Sequence, residues 1–141
     1  MSWRLANSLH LLREQVDALY PGRDKSSDGS IGDERHQTTK SDHDPNAAGV
    51  VQAIDITHDP AHGLDARKLA ETLVASRDPR IKYIISNAQI ISAKVSPWVW
   101  RPYSGTNAHR HHVHISVDDD PRLYDDVKFI RYPRNANASP A

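Results

Sequence analysis

Two groups of metal-ligating side chains lie far apart in this sequence. The first comprises His43 and Asp55, and the second is the run His109-Arg110-His111-His112-Val113-His114. The chain has no cysteine, so any zinc site has to be built from imidazole and carboxylate ligands. Two His and one carboxylate leave the fourth position of a tetrahedral zinc open, as a catalytic zinc requires. These residue types therefore indicate a candidate zinc site.

The second group runs into a predicted β-strand over residues 112–117. Its alternating pattern is typical of a strand, and side chains two apart on a strand point to the same face. His112 and His114 are therefore expected to face one pocket, with His43 and Asp55 available as further ligands. Several imidazoles beside an apolar strand are costly to desolvate unless they bind something, which favours metal binding over a purely structural role.

The hydrophobic pattern predicts the elements that must hold these side chains. It indicates helices over residues 3–20 and 65–76, a polar loop over 22–48, and strands over 50–57, 81–86, 88–95 and 112–117. This order favours an α+β fold, in which helices pack on one face of a small, mostly antiparallel sheet and the zinc site lies on the other. We expect a single domain over residues 1–133 and a disordered tail over 134–141.

Composition restricts the expected partners. The 18 basic and 18 acidic residues cancel, so the net charge favours neither nucleic acid nor an anionic membrane surface. The sequence contains no apolar run long enough for a membrane span or a signal peptide. We therefore expect a protein that is made in the cytoplasm without a signal peptide and has neither nucleic acid nor a membrane as a partner. We also expect a monomer.

Three short segments carry a resemblance to a known family: Ser41-x-His43, Ala53-x-Asp55 and His112-x-His114. They resemble the signature segments of the zinc D-Ala-D-Ala metallopeptidases, the M15 peptidases, which are grouped with lysostaphin-type enzymes and the hedgehog signalling domain. The resemblance covers about residues 3–117 and extends to phage endolysins. It implies a zinc ion held by His43, Asp55 and His114, with His112 beside the metal as a base or transition-state stabiliser.

The same resemblance implies an activity. Enzymes of this group hydrolyse peptide bonds in the stem peptides or cross-links of bacterial peptidoglycan, which a phage endolysin reaches after holin-type release from the cytoplasm. His109 also fits, because His109-x-x-His112-x-His114 is similar to an arrangement in the penicillin-insensitive murein endopeptidases. Many relatives carry a catalytic Glu where this chain has His111. The general base is therefore open between His112, His109 and His111.

Further candidate residues lie in the two regions that flank the site in sequence. Arg35, in the polar loop ahead of His43, is a candidate partner for the developing oxyanion or for a substrate carboxylate. The aromatic side chains of Trp98, Trp100 and Tyr103 are candidates for the wall of a peptide-binding groove.

Two other classes of function compete with this interpretation. His36-Gln37-Thr38 and His114-Ile115-Ser116 resemble the paired motifs of two-histidine phosphoesterases, although the first triplet lies in a wholly polar stretch. A non-catalytic, zinc-stabilised binding module is the second alternative, since hedgehog-like relatives keep the fold without known hydrolysis. The start of an HNH nuclease motif at Ser41–Pro45 is disfavoured by the neutral charge and by the absence of an evident following Asn and His.

Overall fold

The computed structural model of the chain describes residues 3–30, 41–105, 109–128 and 130. Three sequence-based predictions fall outside these residues. They are the role of Arg35, the His36-Gln37-Thr38 triplet and the disordered tail over 134–141.

A small antiparallel sheet forms the centre of the described structure. Its five strands are β3 (Ala53–Thr57), β4 (Ile81–Ser86), β5 (Gln89–Ser92), β6 (Arg101–Pro102) and β7 (His112–Val117). They lie in the order β3-β7-β4-β5-β6, and every neighbouring pair is antiparallel. The predicted mostly antiparallel sheet is therefore confirmed, and strand β7, which carries the histidines, is enclosed between two other strands.

Helices cover one face of this sheet. The described residues form α1 (Asn7–Leu19), α2 (Ala66–Ser76) and the short α3 (Pro121–Tyr124). The buried stripes of α1 and α2 share one core with alternate residues of the strands: Leu9, Leu12, Val16, Leu69, Leu73, Ile54, Ile56, Ile84, Val113 and Ile115. Because side chains alternate along a strand, the residues between these apolar positions point to the opposite face.

Strand register brings the candidate ligand residues to that opposite face. Asp55 of β3 lies directly across from His114 of β7, and His114 in turn lies across from Ile85 of β4. On the helix-covered face, the neighbouring row pairs Ile115 with Ile54 and Ile84. The apolar row fixes the register, since a slip of one residue would bury the polar side chains in the core.

The first predicted helix and the first predicted strand are each shorter than the sequence pattern indicates. Residues Arg4–Leu5 form strand β1 instead of a helical turn, and they pair in parallel with strand β2, Val50–Val51. The Arg4 amide donates to Gly49 O and the Ala6 amide to Val51 O, so these backbone groups are satisfied outside the helix. Gln52 separates β2 from β3, and its side-chain amide donates to Val117 O, Asp118 O and Asp119.

Several other elements agree with the sequence pattern, whereas the short β6 and α3 were not predicted from it. Strands β4 and β7 have the predicted bounds, and β5 covers the centre of the predicted segment 88–95. Helix α2 follows Asp65, whose carboxylate accepts from the amides of Arg67 and Lys68 as an N-cap. None of the helices in the described part of the chain is long and apolar enough to cross a membrane.

The start of the polar loop is anchored to the edge of the sheet by a buried ion pair. Asp28 accepts from the Arg23 guanidinium at 2.7 and 3.0 Å, and from the amide and hydroxyl of Thr57 at 2.8 and 2.7 Å. The Arg23 side chain has no exposed surface. Next to this pair, Gly29 and Asp55 exchange backbone hydrogen bonds. The Arg23–Asp28 pair therefore fixes the loop beside the strand that carries a metal-ligand candidate.

Replacing Asp28 with Asn should destabilise the fold in a pH-dependent way. Burial raises the pKa of Asp28, but the hydrogen bonds from Arg23 and Thr57 outweigh burial and hold the pKa below its usual value. The carboxylate therefore stabilises the fold above its unfolded pKa of about 3.9. We expect Asp28→Asn to lower the free energy of unfolding at pH 7 by about 1–3 kcal/mol, measured by urea denaturation.

The pH dependence supplies the check on this prediction. The difference between the wild type and Asp28→Asn should shrink as the pH falls from about 4 through the depressed folded pKa, because both proteins then lack the charge. Glu71→Gln, which alters an exposed ion pair with Arg67, is the control and should change stability by less than about 0.5 kcal/mol. If the difference in free energy of unfolding between the wild type and Asp28→Asn stays constant down to pH 2, the ionised Asp28 carboxylate does not stabilise the fold.

Candidate metal centre

Three ligand atoms converge on the open face of the sheet. His43 Nε2 lies 3.3 Å from Asp55 Oδ1, His114 Nδ1 lies 3.4 Å from the same oxygen, and the two nitrogens are 3.2 Å apart. A tetrahedron with metal–ligand distances of about 2.0–2.1 Å has edges of about 3.3–3.4 Å. The three atoms thus have the spacing of one tetrahedral face. His43, Asp55 and His114 are close enough to hold a metal ion, as the sequence predicts.

Hydrogen bonds on the far side of each imidazole orient these nitrogens. His43 Nδ1 donates to the carbonyl oxygen of Ser30 at 2.6 Å, because a carbonyl can only accept. Neutral His43 therefore keeps its lone pair on Nε2, the atom that faces Asp55. His114 Nε2 lies 2.7 Å from Ser116 Oγ, and a proton held there leaves the Nδ1 lone pair for a metal. Three electron-rich atoms then face one another, an arrangement that a cation stabilises.

Burial and charge set the protonation states of this group. Burial raises the pKa of Asp55, but His114 and His43 outweigh it and hold that pKa far below the usual range, so Asp55 is ionised. Burial lowers the pKa of His114, which keeps its ring neutral. Burial also lowers the pKa of His43, but Asp55 outweighs that effect and the pKa of His43 is raised. A proton therefore competes with a metal at His43, and metal affinity should fall in acid.

Removing the Ser116 hydroxyl should weaken metal binding without removing a ligand. Ser116 is fully buried, and the ring of His114 also stacks on Tyr83 with centroids 5.2 Å apart. Loss of an outer partner of a metal-bound imidazole typically costs about 10–100-fold in affinity. We expect a loss of this size in Ser116→Ala, measured by competition with a chelating dye.

A buried serine on the other side of the molecule provides the control for Ser116→Ala. Ser8 lies on helix α1, away from the ligand face, and its side chain is equally inaccessible. Ser8→Ala should leave metal affinity unchanged. Equal losses in both variants would mean that the effect comes from general destabilisation and not from the orientation of His114.

Two more imidazoles adjoin the three ligands. His112 Nε2 lies 3.6 Å from Asp55 Oδ2, the second oxygen of the same carboxylate. The ring of His109 makes edge contacts with His112 and His114, at centroid distances of 4.9 and 5.5 Å. His111, in contrast, precedes strand β7 and is exposed. Of the imidazoles considered as a general base, the structure thus brings His112 and His109 to the site and leaves His111 outside it.

The aromatic side chains of Trp98, Trp100 and Tyr103 lie in two different environments. Tyr103 makes an edge contact with His109 at a centroid distance of 5.7 Å, so it lies beside the site. Trp98 and Trp100 instead pack against the hydrophobic core, where the guanidinium groups of Arg77 and Arg67 lie over their rings at 4.9 and 3.8 Å. Both arginines belong to the α2 region on the helix-covered side. Tyr103 is therefore the one of these three aromatic residues that the structure places next to the ligands.

Sequence reasoning missed the hydrogen-bond partners on the far side of the His43 and His114 imidazoles. Ser116 could have been found, because it lies two positions after His114 on the same strand face. The carbonyl of Ser30 could not, since a backbone oxygen carries no signature in the sequence. Comparison of the chain with models of protein families, with curated proteins and with solved structures finds no match.

Proposed function

We propose that this protein is a zinc-dependent peptidase that hydrolyses peptide bonds in the stem peptides or cross-links of bacterial peptidoglycan. The observation that carries the proposal is the triangle of His43 Nε2, Asp55 Oδ1 and His114 Nδ1, with edges of 3.2–3.4 Å. The resemblance of the three short segments to the M15 peptidases points to the same ligands. The substrate class rests on that resemblance alone.

Zinc is the metal that this ligand set favours. Two imidazoles and one carboxylate are typical of catalytic zinc, and the edges of the triangle suit tetrahedral coordination. A bound zinc supplies a Lewis acid that makes a nucleophile available from water at neutral pH and polarises the substrate carbonyl. Asp55 adds a negative charge that offsets part of the charge of the ion.

His112 is the residue that we assign to proton transfer. Its imidazole lies on the same strand face as His114, beside the ligand triangle but not part of it. The ring nitrogen Nε2 is buried and has no hydrogen-bond partner among the described residues. A neutral imidazole can accept a proton from the attacking water and return it to the leaving amine. His109, in contact with the ring of His112, is assigned to position it.

The protein would act as a monomer at the bacterial cell wall, in the manner of a phage endolysin, after release from the cytoplasm. Arg35 is proposed to bind the oxyanion or a substrate carboxylate. Either an endopeptidase or a D,D-carboxypeptidase is compatible with this set of groups, because both reactions need the same metal ligands and the same proton acceptor.

Digestion of purified cell walls tests the proposal. Protein prepared without a His tag should contain zinc by elemental analysis, and it should release muropeptides whose masses show cleavage of a peptide bond. A chelator should stop the release, and added zinc should restore it. Metal-free protein that cleaves a phosphodiester would favour the two-histidine phosphoesterase. Zinc-loaded protein that leaves walls from several bacterial hosts intact would favour a non-catalytic binding module.

A further inference from the structure

The carboxylate of Asp55 faces a different set of nitrogens with each of its oxygens. Oδ1 belongs to the triangle with His43 and His114, whereas Oδ2 lies toward His112. Asp55, His109 and His112 offer ligand atoms that all lie within 4.8 Å of one another. We refer to these three residues as the second ligand group. A carboxylate whose Oδ1 faces His43 and His114 and whose Oδ2 lies toward His112 can bridge two cations.

The burial of the second ligand group favours the binding of a cation. The Nε2 atom of His112 lacks a hydrogen-bond partner among the described residues and is shielded from solvent. Its distance of 3.6 Å from Asp55 Oδ2 is close to the edge of about 3.3–3.4 Å in a zinc tetrahedron. A buried polar atom without a partner costs free energy, and a cation placed between His112 and Asp55 would remove that cost.

We propose that the second ligand group binds a second divalent transition-metal ion, more weakly than the first triangle does. The 3.6 Å between His112 Nε2 and Asp55 Oδ2 is wider than the 3.2–3.4 Å edges of the first triangle, so these side chains have to move closer before they share an ion. The two ions also share the single negative charge of Asp55, and their mutual repulsion at close range opposes the second binding step. Together these effects should make the second step weaker by about tenfold or more.

Occupation of the second ligand group has a consequence that rests on the proposed function. Coordination uses the same Nε2 lone pair of His112 that would accept a proton from the attacking water. His112 cannot do both at once. Zinc beyond the first equivalent should therefore inhibit hydrolysis, and a metal buffer that removes only the weakly bound ion should relieve the inhibition.

Titration of the metal-free, untagged full-length protein with Co²⁺ tests the binding, because its visible absorption reports each site as it fills. The wild type should show two steps, one tight and one weaker. His109→Ala and His112→Ala should each keep the tight step and lose the weaker one, and either variant suffices if the other fails to fold. His111→Ala removes an exposed imidazole next to the group in sequence and should keep both steps.

Each remaining outcome bears on the proposal. A wild-type titration that ends at one equivalent would overturn it, and so would a weaker step that persists in both His109→Ala and His112→Ala. If the protein binds Co²⁺ in two steps but digests no cell wall, the second site is supported. Only the predicted inhibition by zinc, which rests on the proposed function, is then refuted. Wall hydrolysis that continues unchanged when both steps are filled would refute the inhibition but not the binding.

Discussion

His114→Ala should abolish tight zinc binding. The ring nitrogen Nδ1 of His114 is one of three atoms spaced as a tetrahedral face, and the ring is buried by Tyr83 and the surrounding strands. Its removal leaves one imidazole and one carboxylate, too few ligands for a stable zinc site. We expect affinity to fall by more than the roughly 100-fold that loss of an outer partner costs. Elemental analysis after dialysis measures how much zinc each chain retains.

Two companion variants make the test of His114 secure. Because the side chain of His114 is buried, the alanine variant can lose stability, so Asp55→Asn should be measured beside it. That change keeps the shape of Asp55 and removes its charge, and it should also abolish tight zinc binding. His10→Ala removes an exposed imidazole on helix α1 and should bind zinc as the wild type does. A folded His114→Ala protein that binds one zinc per chain as tightly as the wild type does would show that the ligand set is wrong.

His112→Ala should retain the tightly bound zinc and lose two to four orders of magnitude in the rate of wall hydrolysis. The imidazole lies outside the ligand triangle, with Nε2 3.6 Å from Asp55 Oδ2, so the first site stays complete without it. A positioned general acid or base typically contributes about 10²–10⁴-fold to the rate. The measurement is the rate constant of muropeptide release by protein that carries one zinc per chain, in a metal buffer that leaves the weaker second site empty.

His111→Ala is the matched comparison for His112→Ala. It removes a neighbouring imidazole from an exposed position just before strand β7, so activity should remain close to that of the wild type. The two positions are adjacent in sequence, but His111 is exposed whereas His112 lies beside Asp55. An inactive His111→Ala protein beside an active His112→Ala protein would mean that the strand is shifted by one residue.

Much of the fold follows from local patterns that any single strand or helix displays. Strands β4 and β7 have the bounds that their alternating residues predict, and Asp65 caps helix α2 as its position indicates. The hydrophobic periodicity gave the wrong element at Arg4–Leu5, where it predicted the first turn of a helix. These residues continue the helical periodicity of α1, but they form a strand because a distant segment, Val50–Val51, offers backbone partners.

The sequence by itself determined which residues could bind a metal and which of them share a strand face. The absence of cysteine limited the ligands to imidazole and carboxylate, and a period of two brought His112 and His114 to one side. These are local properties, set by side-chain chemistry and backbone geometry. They do not require knowledge of how distant segments pair.

Only the tertiary structure decided how the ligands meet. The pairing of β3 with β7 places Asp55 across from His114, and the Ser30 carbonyl selects the nitrogen that His43 turns toward them. The orientation of Asp55, with Oδ1 toward His43 and His114 and Oδ2 toward His112, also depends on this pairing. These contacts join segments that are far apart in the chain. They also use backbone atoms, which are the same in every residue and so leave no signature in the sequence. The sequence therefore predicts the candidate ligands, but only the packed sheet brings their atoms to the spacing of one tetrahedral face.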